Sequence, residues 1–140
     1  MPLLQQISFG LYSLVAAIAL VFAMMYLIRP KFMPYHSAAV GLAWTEVDEG
    51  FRILIIALLR VAGGGFLAAS SATIFLLLIP FRSGELWANW ALLAVGLASA
   101  VPTLIATILV KLKTPASPPW IAAVIAIVLL IAGFVLRLLA

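Results

Sequence analysis

Four apolar runs, each long enough to cross a bilayer, constrain this chain more than any motif in it. They lie at Ile7–Ile28, between Arg52 and Arg82, at Leu86–Val110 and at Trp120–Leu139. A helix needs about 20 apolar residues to cross a hydrocarbon core about 30 Å thick. Helices also meet the demand that every backbone group in lipid be hydrogen-bonded internally. Composition agrees: 67% of residues are hydrophobic and 9% charged, against about 45–50% and about 25% in soluble domains. A short chain buries only about two-thirds of the surface it exposes unfolded, so a water-soluble fold could not hide this much apolar surface. A soluble enzyme, a nucleic-acid-binding domain and a disordered tail are thereby excluded. The expected fold class is all-α integral membrane. Four transmembrane helices form an antiparallel bundle in one domain over 1–140, with spans near 7–28, 53–80, 86–110 and 120–139 and a loop near 29–45.

Charge sets the expected orientation. The net charge is +4, but the cations stand singly between apolar runs, as they do beside membrane spans and not as in a phosphate-tracking patch. Arg29, Lys31, Arg52, Lys111 and Lys113 fall in the first and third connections. Arg82 and Arg137 fall at the other end. The bias puts the first and third connections in the cytoplasm and both termini on the non-cytoplasmic side of an inner (plasma) membrane. The first run reads as a retained span and not a cleavable signal. No basic residue precedes it, it exceeds a signal h-region, and Arg29 and Lys31 follow where cleavage would occur. There is no cysteine, which excludes disulfides, thiolate catalysis and Cys-ligated metals.

The connections differ in kind. Phe81-Arg82-Ser83-Gly84-Glu85 is short, with Ser83 as an expected N-cap and Glu85 in the first turn of span three. Trp87 and Trp90 follow as an interfacial belt would. Thr114-Pro115-Ala116-Ser117-Pro118-Pro119 is a stiff extended linker closed by Trp120. The first connection, Pro30 to Thr45, is the long one.

Residues 29–60 hold most of the polar chemistry. Tyr35, His36, Trp44, Glu46, Asp48, Glu49, Arg52 and Arg60 all lie there. Thr45-Glu46-Val47-Asp48 has capping-box spacing, so a helix is expected from Glu46. Run unbroken to Leu78, it measures about 50 Å at 1.5 Å per residue. Either its first turns project into the cytoplasm, or it bends at Gly63-Gly64-Gly65. At 100° per residue, Glu49, Arg60, Gly64 and Ser71 share a face, with Arg52 beside them. Two readings of Arg60 follow. It points inward, neutralised by Glu49 or another first-loop acid, or it snorkels to the interface. The triple glycine costs roughly 1 kcal/mol per residue against alanine and is tolerated where helices approach closely.

Span three repeats the small-residue theme: Gly96, Ser99, Ala100, Thr103 and Thr107 lie on one face. Pro102 has no N–H for the Ala98 carbonyl, and a kink is expected there. Gly63, Gly64, Gly65, Ser71, Gly96, Ser99, Pro102 and Thr103 are therefore the expected helix-packing residues. Arg60, Glu49, Arg52, His36, Glu46, Asp48 and Tyr35 are the candidates for ligand or partner contact.

Other chemistry is absent from the pattern. His36 with Glu46, Asp48 and Glu49 matches no HExxH, EF-hand or diiron spacing. There is no GxGxxG, Walker lysine or GxSxG, and no span carries an axial histidine for haem. No cofactor, metal or catalytic residue is expected. In size, span number and the charged start of span two, the chain is similar to the membrane-associated eicosanoid and glutathione enzymes. Their arginine–asparagine signature is missing, with only Asn89 at the mouth of span three. The intramembrane Glu that small multidrug transporters carry in span one is also missing. The stretch Leu59-Arg60-Val61-Ala62-Gly63-Gly64-Gly65-Phe66-Leu67-Ala68 resembles the arginine-plus-glycine run of small bacterial four-helix membrane proteins of the DoxX-like sort. That resemblance implies a four-helix inner-membrane bundle and no defined activity.

The expected function is that of an accessory or structural subunit acting through helix–helix contacts. Its partners would be membrane lipids and either its own copies or a larger membrane complex, with no nucleic acid. A small transporter or channel, with Arg60, Ser70, Ser71, Thr103 and Thr107 on its path, is the alternative. A membrane enzyme for a lipid-soluble substrate is the second.

Overall fold

The computed structural model describes all residues from Met1 to Ala140 and is helical throughout, with no strand. The elements are α1 (Leu3–Ile28), α2 (Pro34–Val40), a 3-10 turn (Trp44–Glu46), α3 (Glu49–Leu76), a π turn (Leu77–Phe81), α4 (Leu86–Lys113) and α5 (Trp120–Leu138). Four rods, α1, α3 with its π turn, α4 and α5, are long and apolar enough to cross a membrane.

The ends of the elements follow local chemistry, and three differ from expectation. First, the connection after α1 is not all loop. Pro34 opens α2, whose fixed φ suits the first helical turn, and Gly41 ends it at φ 72 in the left-handed region. Second, α3 starts at Glu49 and not at Glu46. Asp48 is its cap, and its Oδ1 accepts from the Gly50 N–H at 2.8 Å. Glu46 instead closes the 3-10 turn, its carboxylate accepting from the Ala43 N–H at 2.7 Å. Third, Ser83 does not cap α4. Its hydroxyl donates back to the Ile79 carbonyl at 3.0 Å, and Glu85 takes the N-cap position.

The glycine run does not break α3, which stays α-helical from Glu49 to Leu76. The departure comes later, at Pro80. With no N–H to give and a ring that crowds the preceding turn, the proline sits in a widened π turn. Gly84 at φ 87 then reverses the chain into α4. That helix continues through Pro102.

Long-range contacts set the register. Along α1 and α3, Gln5 meets Phe81, Ala16 meets Ser70 and Tyr26 meets Arg60. Ser8 of α1 meets Gly133 of α5, and Asn89 of α4 meets Phe134. From Gln5 to Tyr26 numbers rise along α1 as their partners' fall from Phe81 to Arg60. α1 packs on both α3 and α5, and α4 packs on α5. α3 also meets α4, more sparsely than any of these three pairs. The core between them holds Tyr12, Leu77, Phe81, Leu92 and Leu130.

Only some of the small residues serve these interfaces. A Cβ at Gly96 would collide with the Leu130 side chain. One at Gly63 would stand 3.1 Å from the Leu27 backbone nitrogen and 2.9 Å from Leu27 Cγ. Gly64 and Gly65 face open space.

Candidate functional site

Of the polar residues anticipated between 29 and 60, Arg60, Tyr35 and His36 gather around the exit of α1. Arg60 lies on the flank of α3 that faces α1. Its guanidinium donates to the Tyr26 carbonyl at 2.7 Å and the Arg29 carbonyl at 3.1 Å. These are among the carbonyls that a helix C-terminus leaves without intrahelical donors, and a cation there also complements the helix dipole. Arg60 is thus half-buried and turned toward α1. Its partners are backbone carbonyls, not Glu49, which is exposed. The fork ties the last turn of α1 to α3.

α2 lies over this junction. Tyr35 and Tyr26 bring their hydroxyls to 2.6 Å. His36 Nδ1 accepts from the Met33 N–H at 3.2 Å, capping α2 through its own side chain. That bond leaves the imidazole proton on Nε2. The Tyr35 and His36 rings meet edge-on at 4.3 Å, as do Phe32 and Trp44 at 4.8 Å. Burial holds the His36 pKa below its usual value. Burial also pushes the Tyr35 phenol up, the Tyr26 hydrogen bond adds to that, and the Arg29 charge opposes it. Both groups are neutral at physiological pH. Arg52 is half-buried, and Glu46, Asp48 and Glu49 lie at the surface. No three of the His, Asp and Glu side chains gather where a metal could sit.

Beneath α2 the bundle opens. Tyr26, Tyr35, His36, Phe66 and Thr107 line a chamber of about 230 Å³. Ala62, Phe66, Thr103 and Ala106 belong both to that chamber and to a groove of about 630 Å³ between α3 and α4. Across the groove, Gly65, Ala68 and Ala69 face Ala98, Ser99 and Pro102. The hydroxyls of Ser99, Thr103 and Thr107 donate to carbonyls of their own helix, so none stands free as a donor. Deeper, between α1, α4 and α5, an apolar cavity of about 50 Å³ touches Phe22, Tyr26, Phe66 and Ala123.

A second polar cluster, at the opposite end, escaped sequence reading. Asn89 is fully buried, accepts from the Tyr12 hydroxyl at 2.8 Å and donates to the Phe134 carbonyl at 3.2 Å. Gln5 donates to the Phe81 carbonyl and Ser8 to the Gly133 carbonyl. Arg137, 8% exposed, donates to the Gly84 carbonyl at 2.9 Å and stands over the Phe81 ring. The available signal was Gln5, Ser8 and Tyr12 at i, i+3 and i+7, one face of a helix. In lipid, such polar side chains face the bundle interior.

Comparison with protein-family models, with curated proteins and with solved structures gives no match to this chain.

Proposed function

We propose that the chain is a multi-pass protein of the inner (plasma) membrane, an antiparallel four-helix bundle with both termini on the non-cytoplasmic side, acting as an accessory or structural subunit. The observation that carries this reading is the outer face of α3. Ile53, Ala57, Val61, Gly64, Ala68 and Phe75 share one face at 100° per residue, and all six are exposed. Gly64-x-x-x-Ala68 is the small-xxx-small spacing that lets a second helix approach closely. Glycine within a helix costs about 1 kcal/mol against alanine. Gly63 offsets that cost by its contact with α1, whereas Gly64 meets nothing in its own chain. An outside helix on this face would account for it.

A transport path past Arg60 is less well supported. Its guanidinium is committed to two carbonyls.

The test is co-purification from native membranes in a mild, lipid-retaining matrix. A stoichiometric partner or a homo-oligomer is expected, and Gly64→Leu should abolish it without lowering the thermal midpoint of the isolated chain. A wild-type chain recovered only as a monomer without a partner sinks the reading.

A further inference from the structure

The groove between α3 and α4 lies beside the Gly64 face but is a different surface, and its shape asks for a different occupant. It runs along α4 from Val95 to Ala106, roughly 16 Å at 1.5 Å per residue. That is about half of a 30 Å hydrocarbon core, or one leaflet. Its volume of about 630 Å³ lies within the 300–1,000 Å³ or so of small-molecule sites. At the end nearest the loops it passes into the chamber under α2 through the shared walls of Phe66 and Thr103. A one-leaflet trough that ends in a mostly apolar chamber carrying the Tyr26, Tyr35 and His36 polar groups has the dimensions of one lipid chain with its head.

The chamber also defines the head. Tyr26 and Tyr35 spend one O–H in the bond between them, and the second hydroxyl hydrogen has no partner in the chain. His36 contributes an Nε2–H, since Nδ1 accepts from Met33. Both donors are uncharged. Of the cations near the chamber, Arg60 is engaged on two carbonyls and Lys111 stands over the Trp120 ring at 4.0 Å; Arg29, whose charge reaches Tyr35, is not one of the lining residues. A carboxylate would enter an apolar chamber with no free lining charge to meet it, and burying an unpaired charge is costly. A neutral carbonyl oxygen matches the donors present.

We propose that the α3–α4 groove and the chamber under α2 form one site for a fatty-acyl ester of the surrounding membrane. The acyl chain lies along the groove, and the ester carbonyl accepts from the Tyr26–Tyr35 pair and from His36. This inference does not rest on the accessory-subunit reading, which uses another face of α3.

The probe is a monoacylglycerol carrying a photoactivatable diazirine in its acyl chain, at low mole fraction in phosphatidylcholine nanodiscs holding the full chain. Labelling is expected to concentrate on residues 62–69 and 95–106. Gly65→Leu fills the groove from a position with open space around it and should lower that labelling about tenfold, the equivalent of about 1.4 kcal/mol. Ala98→Leu does so from the other wall, so one badly folded variant leaves the test intact. Tyr26→Phe/Tyr35→Phe should weaken ester labelling and leave labelling by a diazirine hydrocarbon unchanged. The same chain as a free fatty acid at pH 8 should label weakly. Labelling spread evenly over the outer faces, or unmoved by Gly65→Leu and Ala98→Leu, overturns the site. Equal labelling by the carboxylate overturns the neutral head. A second copy or another protein cross-linked into the groove overturns the lipid as its occupant.

Discussion

At the scale of single residues, three adjacent glycines separate into two roles. Gly63 is buried against Tyr26 and Leu27, where an added methyl meets backbone that has little freedom to yield. Gly63→Ala should therefore destabilise by about 1–3 kcal/mol, the range for overpacked cores. Gly64→Ala and Gly65→Ala meet open space and should raise stability by up to about 1 kcal/mol through helix propensity. Thermal or denaturant unfolding of the three variants, each as an isolated monomer, checks the contrast. Equal effects at all three positions would contradict the placement of α1 against Gly63. The difference was not legible in the sequence. Three identical residues sit 100° apart around the helix, and only the position of α1 decides which one is covered.

At the scale of elements, α2 is the piece most exposed to pH. Its first turn is capped by the neutral His36 imidazole, and burial holds the His36 pKa below its ordinary value of 6.5. The sign follows from linkage. Between the two pKa values the unfolded chain binds more protons than the folded one, so stability rises with pH. The His36 contribution is whole above about pH 6.5, the unfolded value. It is lost as pH falls below that, when the proton taken up at Nδ1 also displaces the Met33 N–H. A thermal midpoint followed from pH 8 to pH 5 should fall on the acid side. His36→Gln keeps a capping acceptor but does not titrate, so its curve should be flatter there. The sequence placed His36 in a loop because a seven-residue helix opened by proline lies too close in length to a turn to be told from one.

At the scale of the whole molecule, the bundle is tight at one end and open at the other. Gln5, Tyr12, Asn89 and Arg137 bind α1, the π turn, α4 and α5 together where α3 and α4 are joined. At the opposite end α3 and α4 are separated by the groove, and α2 lies over the chamber continuous with it. Arg137→Leu leaves the Gly84 carbonyl without its donor. A hydrogen bond to a charged group contributes about 1.5–3 kcal/mol, so a loss of that order is expected. Amide hydrogen exchange should rise over residues 79–85 and stay unchanged in the middle of α1. Protection unaltered at the turn would show that Arg137 does not hold it.

The sequence by itself determined that four long apolar helices form and nearly where each begins and ends. Run length, prolines, caps and glycines act within a few residues of where they stand. Tertiary structure alone decided which faces meet. Every helix here is apolar on nearly all sides, so hydrophobic periodicity cannot mark the inward face as it does in water, and lipid is as good a solvent for leucine as a helix neighbour is. What marks the interior is polar and small side chains, and their partners are remote in sequence. Tyr12 finds Asn89 across 77 positions, and Arg60 finds the carbonyl of Tyr26 across 34. No spacing rule reaches that far. The Arg60–Glu49 pairing, one of the two readings the sequence allowed, therefore gave way to two carbonyls at the end of α1.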